Sequence, residues 1–356
     1  MGEVRAKKAL GQHFLVDLNI ARKICDALSG GVRPEAGAET RAVAAGSADA
    51  DAETRTRVAG YAGAGAEART MAAGSADAGA EARTKATGTA DADAETRRGV
   101  AASADARLAA DTTAAGAPAA AEEERSGAVP CDVLEVGCGM GVLTQFLLRR
   151  GDITTYGAEI DPESVEYLHA HFPEFAPRLI EGDFLKMNLR ERFPRGLKII
   201  GNFPYNISSQ IFFKVLEHRD LVPECVGMIQ KEVAVRIAEP PGSKEYGILS
   251  VLLQAWYDIE YLFTVNETVF NPPPKVKSAV IRLRRNSVGR LGCDEALFVK
   301  VVKASFGQRR KMIRNSLRAV FGDFGGAEHP FFTQRAEQLS VADFVQLTDW
   351  VAANRK

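Results

Sequence analysis

The stretch GNFPYNISSQIFF, residues 201–213, concentrates more chemistry than any other part of this chain. An apolar run, LKIIG, reads as a strand. Where it stops, the sequence places an amide (Asn202), a proline (Pro204) and a phenol (Tyr205). Asn202 offers a side-chain carbonyl, the fixed φ of Pro204 aims backbone carbonyls outward, and Tyr205 offers a flat face. Two acceptors and a stacking ring suit the exocyclic amino group of a nucleobase. The acceptors hold the amine's hydrogens and leave its lone pair to meet an electrophile. No general base is needed early, because such an amine loses its proton only after it has been alkylated. A turn with an Asn cap and a half-buried Tyr is the simpler alternative.

Three further groups end strands upstream. Glu135-Val-Gly137-Cys-Gly139-Met-Gly141 follows an apolar run and precedes a helical pattern. Glycines there let the backbone approach a ligand at a helix N-terminus. No Gly-Lys-Ser/Thr follows, so this is not a phosphate-cradling P-loop. Glu159 ends the next strand, in YGAEID, 20 residues after Gly139, where a carboxylate can accept both ribose hydroxyls of a nucleoside; Asp161 competes for that role. Asp183, in EGDF, can accept from an adenine amino group or cap a helix. With Asn202, four groups stand at strand ends, and open α/β sheets bind ligands at that carboxyl edge.

The elements that must position them alternate. CDVLEVG, TTYGAEID, RLIEGDF and LKIIGNF read as strands; VLTQFLLRRG, PESVEYLHAHF and SSQIFFKVLEH read as helices. VGMIQKEVAVRIA runs from strand to helix and GILSVLLQAWYDIEYLFTV from helix to strand. This predicts an open, largely parallel α/β sheet. Before it, DLNIARKICDAL predicts a helix with Leu18, Ala21, Ile24, Cys25 and Leu28 on one face and Asp17 as cap. From about residue 287 the pattern is helical only, with one helix expected across EALFVKVVKASFGQRRKMIRNSLRAVF and another over SVADFVQLTDWVAANR.

Residues 31–128 differ from the rest. They repeat with period 14: Gly46, Gly60, Gly74 and Gly88 share the step, as do Arg41, Arg55, Arg69, Arg83 and Arg97. The unit offers mainly alanine to bury, which does not offset the entropy of ordering, so a disordered or transiently helical insertion without a catalytic part is expected. It holds 11 basic and 16 acidic residues, whereas residues 275–318 hold 13 basic and 2 acidic. A local excess of that size points to a polyanionic partner. Five scattered cysteines without a CxxC pair argue against a zinc site or a disulfide framework. No run of about 18 apolar residues predicts a membrane span, and the basic N-terminus lacks a signal-peptide core. A cytoplasmic protein without metal is expected.

Taken in order, KKALGQHFLVD, LEVGCGMGVLT, AEID, EGDFL, IIGNFPYNISS, MIQKEVAVRIA, GSKEYGILSVLLQ, FNPPPKVKSAVIRL and SFGQRRKMIRNSL resemble the ribosomal RNA adenine N6,N6-dimethyltransferases that use S-adenosylmethionine. The resemblance covers nearly everything outside residues 30–128. It implies a Rossmann-like class I methyltransferase sheet over residues 1–286, interrupted by the repeat, and a helical RNA-binding domain over 287–356. It implies that His13 and Leu15 close over the cofactor, Gly137 and Gly139 line its methionine moiety, Glu159 binds the ribose and Asp183 the adenine. Asn202 would touch both cofactor and target amine, Pro204 and Tyr205 would complete the target pocket, and Phe270 would be a second stacking face.

RNA contacts are implied for Arg309, Arg310, Lys311, Arg314 and Arg318. Arg310, Arg314 and Arg318, at i, i+4 and i+8, would form one helical face for phosphates, and the target adenine would leave its stack. The implied reaction is dimethylation of two neighbouring adenines near the 3′ end of 16S rRNA in the small ribosomal subunit, with a part in subunit biogenesis. Nothing demands more than a monomer. Alternatives are a resistance-type enzyme acting on large-subunit rRNA, an assembly factor for which catalysis is secondary, and, more weakly, a DNA adenine methyltransferase. Two residues depart from the family pattern: His13 stands where Asn is frequent, and Cys138 where proline is usual.

Overall fold

A computed structural model describes residues 4, 6, 7, 10–30, 130–308 and 310–355. The repeat segment and Arg309 lie outside them. In chain order the elements are β1 (Phe14–Leu15), α1 (Leu18–Ala27), β2 (Cys131–Val136), α2 (Thr144–Leu147), β3 (Ile153–Glu159), α3 (Pro162–His171), β4 (Leu179–Glu181), α4 (Leu189–Arg192) and β5 (Lys198–Asn202). They continue with α5 (Ser208–Glu217), β6 (Glu224–Gln230), α6 (Lys231–Ala238), α7 (Ile248–Gln254), β7 (Tyr257–Val265), β8 (Phe270–Asn271), β9 (Ser278–Arg285), α8 (Glu295–Gly307), α9 (Ile313–Phe321) and α10 (Val341–Asn354).

The seven-stranded sheet runs β4-β3-β2-β5-β6-β9-β7. Its first five strands are parallel, and β9 is antiparallel to both neighbours. Strand order reverses between β2 and β5, the switch point at which open α/β sheets hold ligands. Every residue of β2 is buried, as a strand covered on both faces requires. Alternation then divides the core. Leu134 and Ile199 join the cluster packed by α5, α7 and the C-terminal helices, and their neighbours Val133 and Ile200 join the opposite cluster packed by α1 and α2.

Helix α1 begins as the sequence predicts, with Asp17 accepting from the N–H groups of Asn19 and Ile20. Ala21, Ile24, Cys25 and Leu28 are buried, but Leu18 is half-exposed, so the packed face starts one turn later than expected. The end of α1 is clamped by three cations, which satisfy carbonyls that a helix terminus leaves open. Arg150 donates to the carbonyls of Cys25 and Leu28 at 3.1 and 2.9 Å, Arg282 to Ala27 at 2.9 Å, and Lys198 to Ser29 and Gly30 at 2.9 and 3.3 Å.

Gly30 thereby lies against Asp152, whose neighbour Ile153 pairs with Cys131. The described residues that flank the repeat, Gly30 and Cys131, thus both lie near the start of β3, at the sheet edge opposite the strand ends that carry the candidate ligands. Replacing residues 31–129 with a short glycine–serine linker is therefore expected to leave the fold and methyl transfer intact. A thermal melt and an activity assay on the shortened chain check this.

Two helices differ from expectation. α2 is four residues long, because the chain turns tightly at Arg150, whose N–H reaches back to Leu147 and whose guanidinium is drawn to α1. The helix expected across residues 295–321 is broken. α8 ends at Gly307, a residue that gains little from helix, and Met312 is extended at φ −68°, ψ 152°. The break folds α9 back so that Ile313 and Leu317 are fully buried. α8 and α10 pack against each other and against α7 in the same core: Phe298 meets Trp256 edge-to-face at 6.0 Å, and Val301, Phe344 and Leu347 are fully buried.

Candidate active site

The chemistry-bearing turn after β5 is held by Phe203. Gly201 and Gly227 face each other across β5 and β6, and the Phe203 ring fills the space above them. A Cβ on Gly227 would come within 2.4 Å of that ring, and one on Gly201 within 2.8 Å. Phe203 is buried, and with it as anchor Asn202, Pro204 and Tyr205 are turned toward a cleft. This cleft encloses about 1180 Å³, counting solvent at its mouth, and is lined by His13, Leu15, Gly137, Gly139, Glu159, Asp183, Asn202, Pro204 and Tyr205. Nine residues predicted from separate motifs thus share one cavity.

The floor is the glycine turn. Gly137, Gly139 and Gly141 have φ of +76°, +53° and +74°, values that favour glycine. Glu159 is buried and locks this turn. Its Oε2 accepts the Gly139 N–H at 2.8 Å, and its Oε1 accepts those of Ile160 and Asp161, each at 2.9 Å. A carboxylate has about four lone-pair positions, so one on Oε2 stays open to a ligand hydroxyl. Burial raises the Glu159 pKa, and the three backbone bonds oppose the rise. Asp161, its competitor, is wholly buried and engaged elsewhere, by Lys7, Gln12 and Ser164. Asp183 is a cap, its Oδ1 accepting the Leu185 N–H at 2.9 Å, and the residue also lines the cleft.

The roof is the segment carrying His13. Asn202 Nδ2 donates to the His13 carbonyl at 2.9 Å, leaving Asn202 Oδ1 as the acceptor. His13 Nδ1 lies 2.9 Å from the Pro272 carbonyl, which can only accept, so the proton is on Nδ1. The His13 ring stands 5.4 Å from that of Tyr205. Tyr205 Oη pairs with Ser278 Oγ at 2.5 Å, and burial pushes its pKa up. Phe14 lies against Gly139, where a Cβ would meet its ring at 3.1 Å.

Phe270 is a correction. It is 3% exposed, pairs with Leu15 across β1 and β8, and does not line the cleft. Its ring is core, because β8 packs inward beneath the roof, so it offers no second stacking face. The basic helix is a second correction. Arg310 and Lys311 lie in the exposed turn between α8 and α9, not on a helix with Arg314 and Arg318. Arg314 pairs with Glu328 and Arg318 with Asp323 at 3.2 Å, so the expected single stripe is a turn followed by two already paired arginines.

Sequence reasoning gave Glu135, the first residue of the glycine motif, no role of its own; its signal is a carboxyl inside a largely apolar strand. It is buried, accepts from Thr144 Oγ1 at 2.6 Å and lines the cleft. Burial, aided by the Glu159 charge and opposed by Thr144, raises its pKa to about 8. An unfolded glutamate ionises near 4.5. Between these values the folded state holds the extra proton, so the stabilisation is complete below about 4.5 and is lost as pH rises through 8. Stability should fall with pH across that window by up to about 1.4 kcal/mol per unit from this group. Urea unfolding at several pH values should show a flatter profile for Glu135→Gln than for the wild-type protein.

Ser278 and Lys7 also escaped notice, since each acts through a partner distant in sequence. Among the described residues no helix is long and apolar enough to cross a membrane.

Comparison with known proteins agrees with this geometry. Residues 130–353 match the model of a family described as ribosomal RNA adenine dimethylase. A Parabacteroides distasonis protein named ribosomal RNA small subunit methyltransferase A is 61% identical over 218 residues, covering 61% of this chain and 81% of that one. Its namesake in Porphyromonas gingivalis is 59% identical over 220 residues, with 61% and 84% covered. The crystal structure of a dimethyladenosine transferase from Plasmodium falciparum superposes with a TM-score of 0.53 at 26% identity, over 63% of this chain and 90% of that one. With the family match spanning most of the chain and the cleft motifs falling in order around one switch point, this protein belongs to the ribosomal RNA adenine dimethylase family.

Proposed function

We propose that this protein transfers methyl groups from S-adenosylmethionine to N6 of adenine in small-subunit rRNA, twice on each of two neighbouring adenines near the 3′ end of 16S rRNA, and thereby takes part in subunit biogenesis. The observation that carries the reading is convergence: Asn202, Pro204 and Tyr205 share one cleft with the glycine turn, Glu159 and Asp183. The relatives named as small subunit methyltransferases support the choice of subunit.

The cleft fits the cofactor in kind. It has a turn without side chains, an open position on Glu159, a carboxylate at Asp183 and an apolar wall from Leu15 and Phe184. S-adenosylmethionine supplies an electrophilic methyl group on a sulfonium. The chain does the rest. Asn202 Oδ1, oriented by the bond from its own amide to the His13 carbonyl, accepts a hydrogen of the adenine amine and aims the nitrogen lone pair. Tyr205, held by Ser278, stacks on the flipped base. The roof around His13 and Leu15 excludes water, and rate comes from alignment and fixed dipoles. The amine's proton leaves after alkylation, so no side chain serves as a base. Arg309, Arg310 and Lys311, with Arg314 and Arg318 freed from their acidic partners, contact phosphates and position the RNA. The residues from 287 onward act as the RNA-binding part of a cytoplasmic monomer.

The test is methyl transfer from labelled S-adenosylmethionine onto unmethylated small subunits, with large subunits and DNA in parallel and products digested to nucleosides. Dimethyladenosine from small subunits alone is expected. Label in large subunits or DNA instead would overturn the substrate assignment.

A further inference from the structure

The roof of the cleft is tied down at two places. Its second half is pinned to the body by β1–β8 pairing, by Val16 N–H to the Val269 carbonyl at 2.9 Å, and by Asn202 to the His13 carbonyl. Its first half is held differently. Lys7 Nζ pairs with Asp161 Oδ1 and, at 3.1 Å, with Glu163. Gln12 Nε2 reaches Asp161 Oδ2 at 3.5 Å, and Gln12 Oε1 accepts the Lys7 backbone N–H at 2.8 Å. These tethers converge on one carboxylate whose side chain is wholly buried, whereas that of Lys7 is about one-third exposed. Asp161 in turn donates its N–H to Glu159, the residue that locks the glycine turn.

We propose that Lys7 is a positioning residue for cofactor retention: through Asp161 it latches the first half of the roof onto the cofactor-binding loop and so sets how tightly the cofactor is held, without taking part in methyl transfer. The inference rests on the reading that this cleft holds S-adenosylmethionine. Neither Lys7 nor Asp161 lines the cleft, so the effect runs through the roof. If cofactor binds tightly only under a closed roof, its apparent dissociation constant is the intrinsic one divided by the closed fraction. Losing the latch lowers that fraction and leaves the aligned complex unchanged once cofactor saturates. The latch is not a pH gate. Burial would raise the Asp161 pKa, but the bonds from Lys7, Ser164 and Gln12 hold it below the ordinary range, and bonds to Asp161 and Glu163 raise that of Lys7. The pair stays charged through neutral pH.

Lys7→Met tests this better than a change at Asp161, which also starts α3. In the full-length protein, S-adenosylmethionine and S-adenosylhomocysteine affinities should weaken about tenfold, the scale of one charge-assisted hydrogen bond. The KM for S-adenosylmethionine should rise equally, while kcat stays within twofold. Lys7→Arg, which keeps the charge, should stay within threefold of wild type on every readout, as should Glu163→Gln at a mostly exposed partner. Wild-type affinity in Lys7→Met, or a fall in kcat matching the loss of affinity, would overturn the latch. If the wild-type protein bound neither compound, the cofactor reading itself would fall.

Discussion

Asn202→Ala is expected to slow methyl transfer by about 10²–10³-fold, the scale seen when one preorganised acceptor or donor is removed from a reacting centre. Two consequences combine. The Oδ1 acceptor is lost, so the amine's hydrogens are no longer held and its lone pair is no longer aimed. The bond from Nδ2 to the His13 carbonyl is lost as well, which frees the roof from the floor at the target pocket. The fold should persist, because Asn202 is at the end of β5 beside Phe203, whose packing over Gly201 and Gly227 does not involve the amide. That one hydrogen bond contributes about 1 kcal/mol to stability. Single-turnover transfer to unmethylated small subunits at saturating cofactor, beside a circular-dichroism melt, separates the two effects. A rate within twofold of wild type would remove Asn202 from its assigned role.

Glu159→Gln should act at a different step. The amide is nearly isosteric, but its NH₂ group must face N–H donors that the carboxylate now accepts: either Gly139, or Ile160 and Asp161. A buried donor left without an acceptor costs about 1–3 kcal/mol, which should appear as a lower urea midpoint. Loss of the negative charge weakens the contact to a ligand hydroxyl, and a displaced Gly139 turn spoils the floor beneath it. Together these should raise the cofactor dissociation constant about 10²-fold, taking roughly 1.4 kcal/mol per tenfold step. At saturating cofactor much of the transfer rate should return, unlike in Asn202→Ala. Equilibrium binding of S-adenosylmethionine reads the first effect and urea unfolding the second. A stability loss without an affinity loss would confine Glu159 to holding the turn.

These two residues were legible because they end strands. In a parallel sheet every strand end falls on the same edge, so Glu159, Asp183 and Asn202, spread over 44 positions, needed only the alternation of strands and helices to be brought together. The family followed from the order of motifs, which survives a 14-residue repeat inserted between α1 and β2. Asp183 shows the limit of that reasoning: capping and accepting from an adenine were alternatives on paper, and the carboxylate that caps Leu185 also lines the cleft.

By itself, then, the sequence determined that the glycine turn, Glu159, Asp183 and Asn202 share one edge of one sheet, because strand period and strand ends are local properties. Only the tertiary structure decided what holds them. Phe270 looked like a ring for stacking, but β8 buries it against β1. A helix pattern running through Gly307 looked continuous, but burying Ile313 and Leu317 bent it and divided the arginines. Ser278 beneath Tyr205, the three cations at the end of α1 and Lys7 over Asp161 are pairings across 73 to 255 residues. No local preference encodes them: each depends on how packed elements bring two distant side chains to one place.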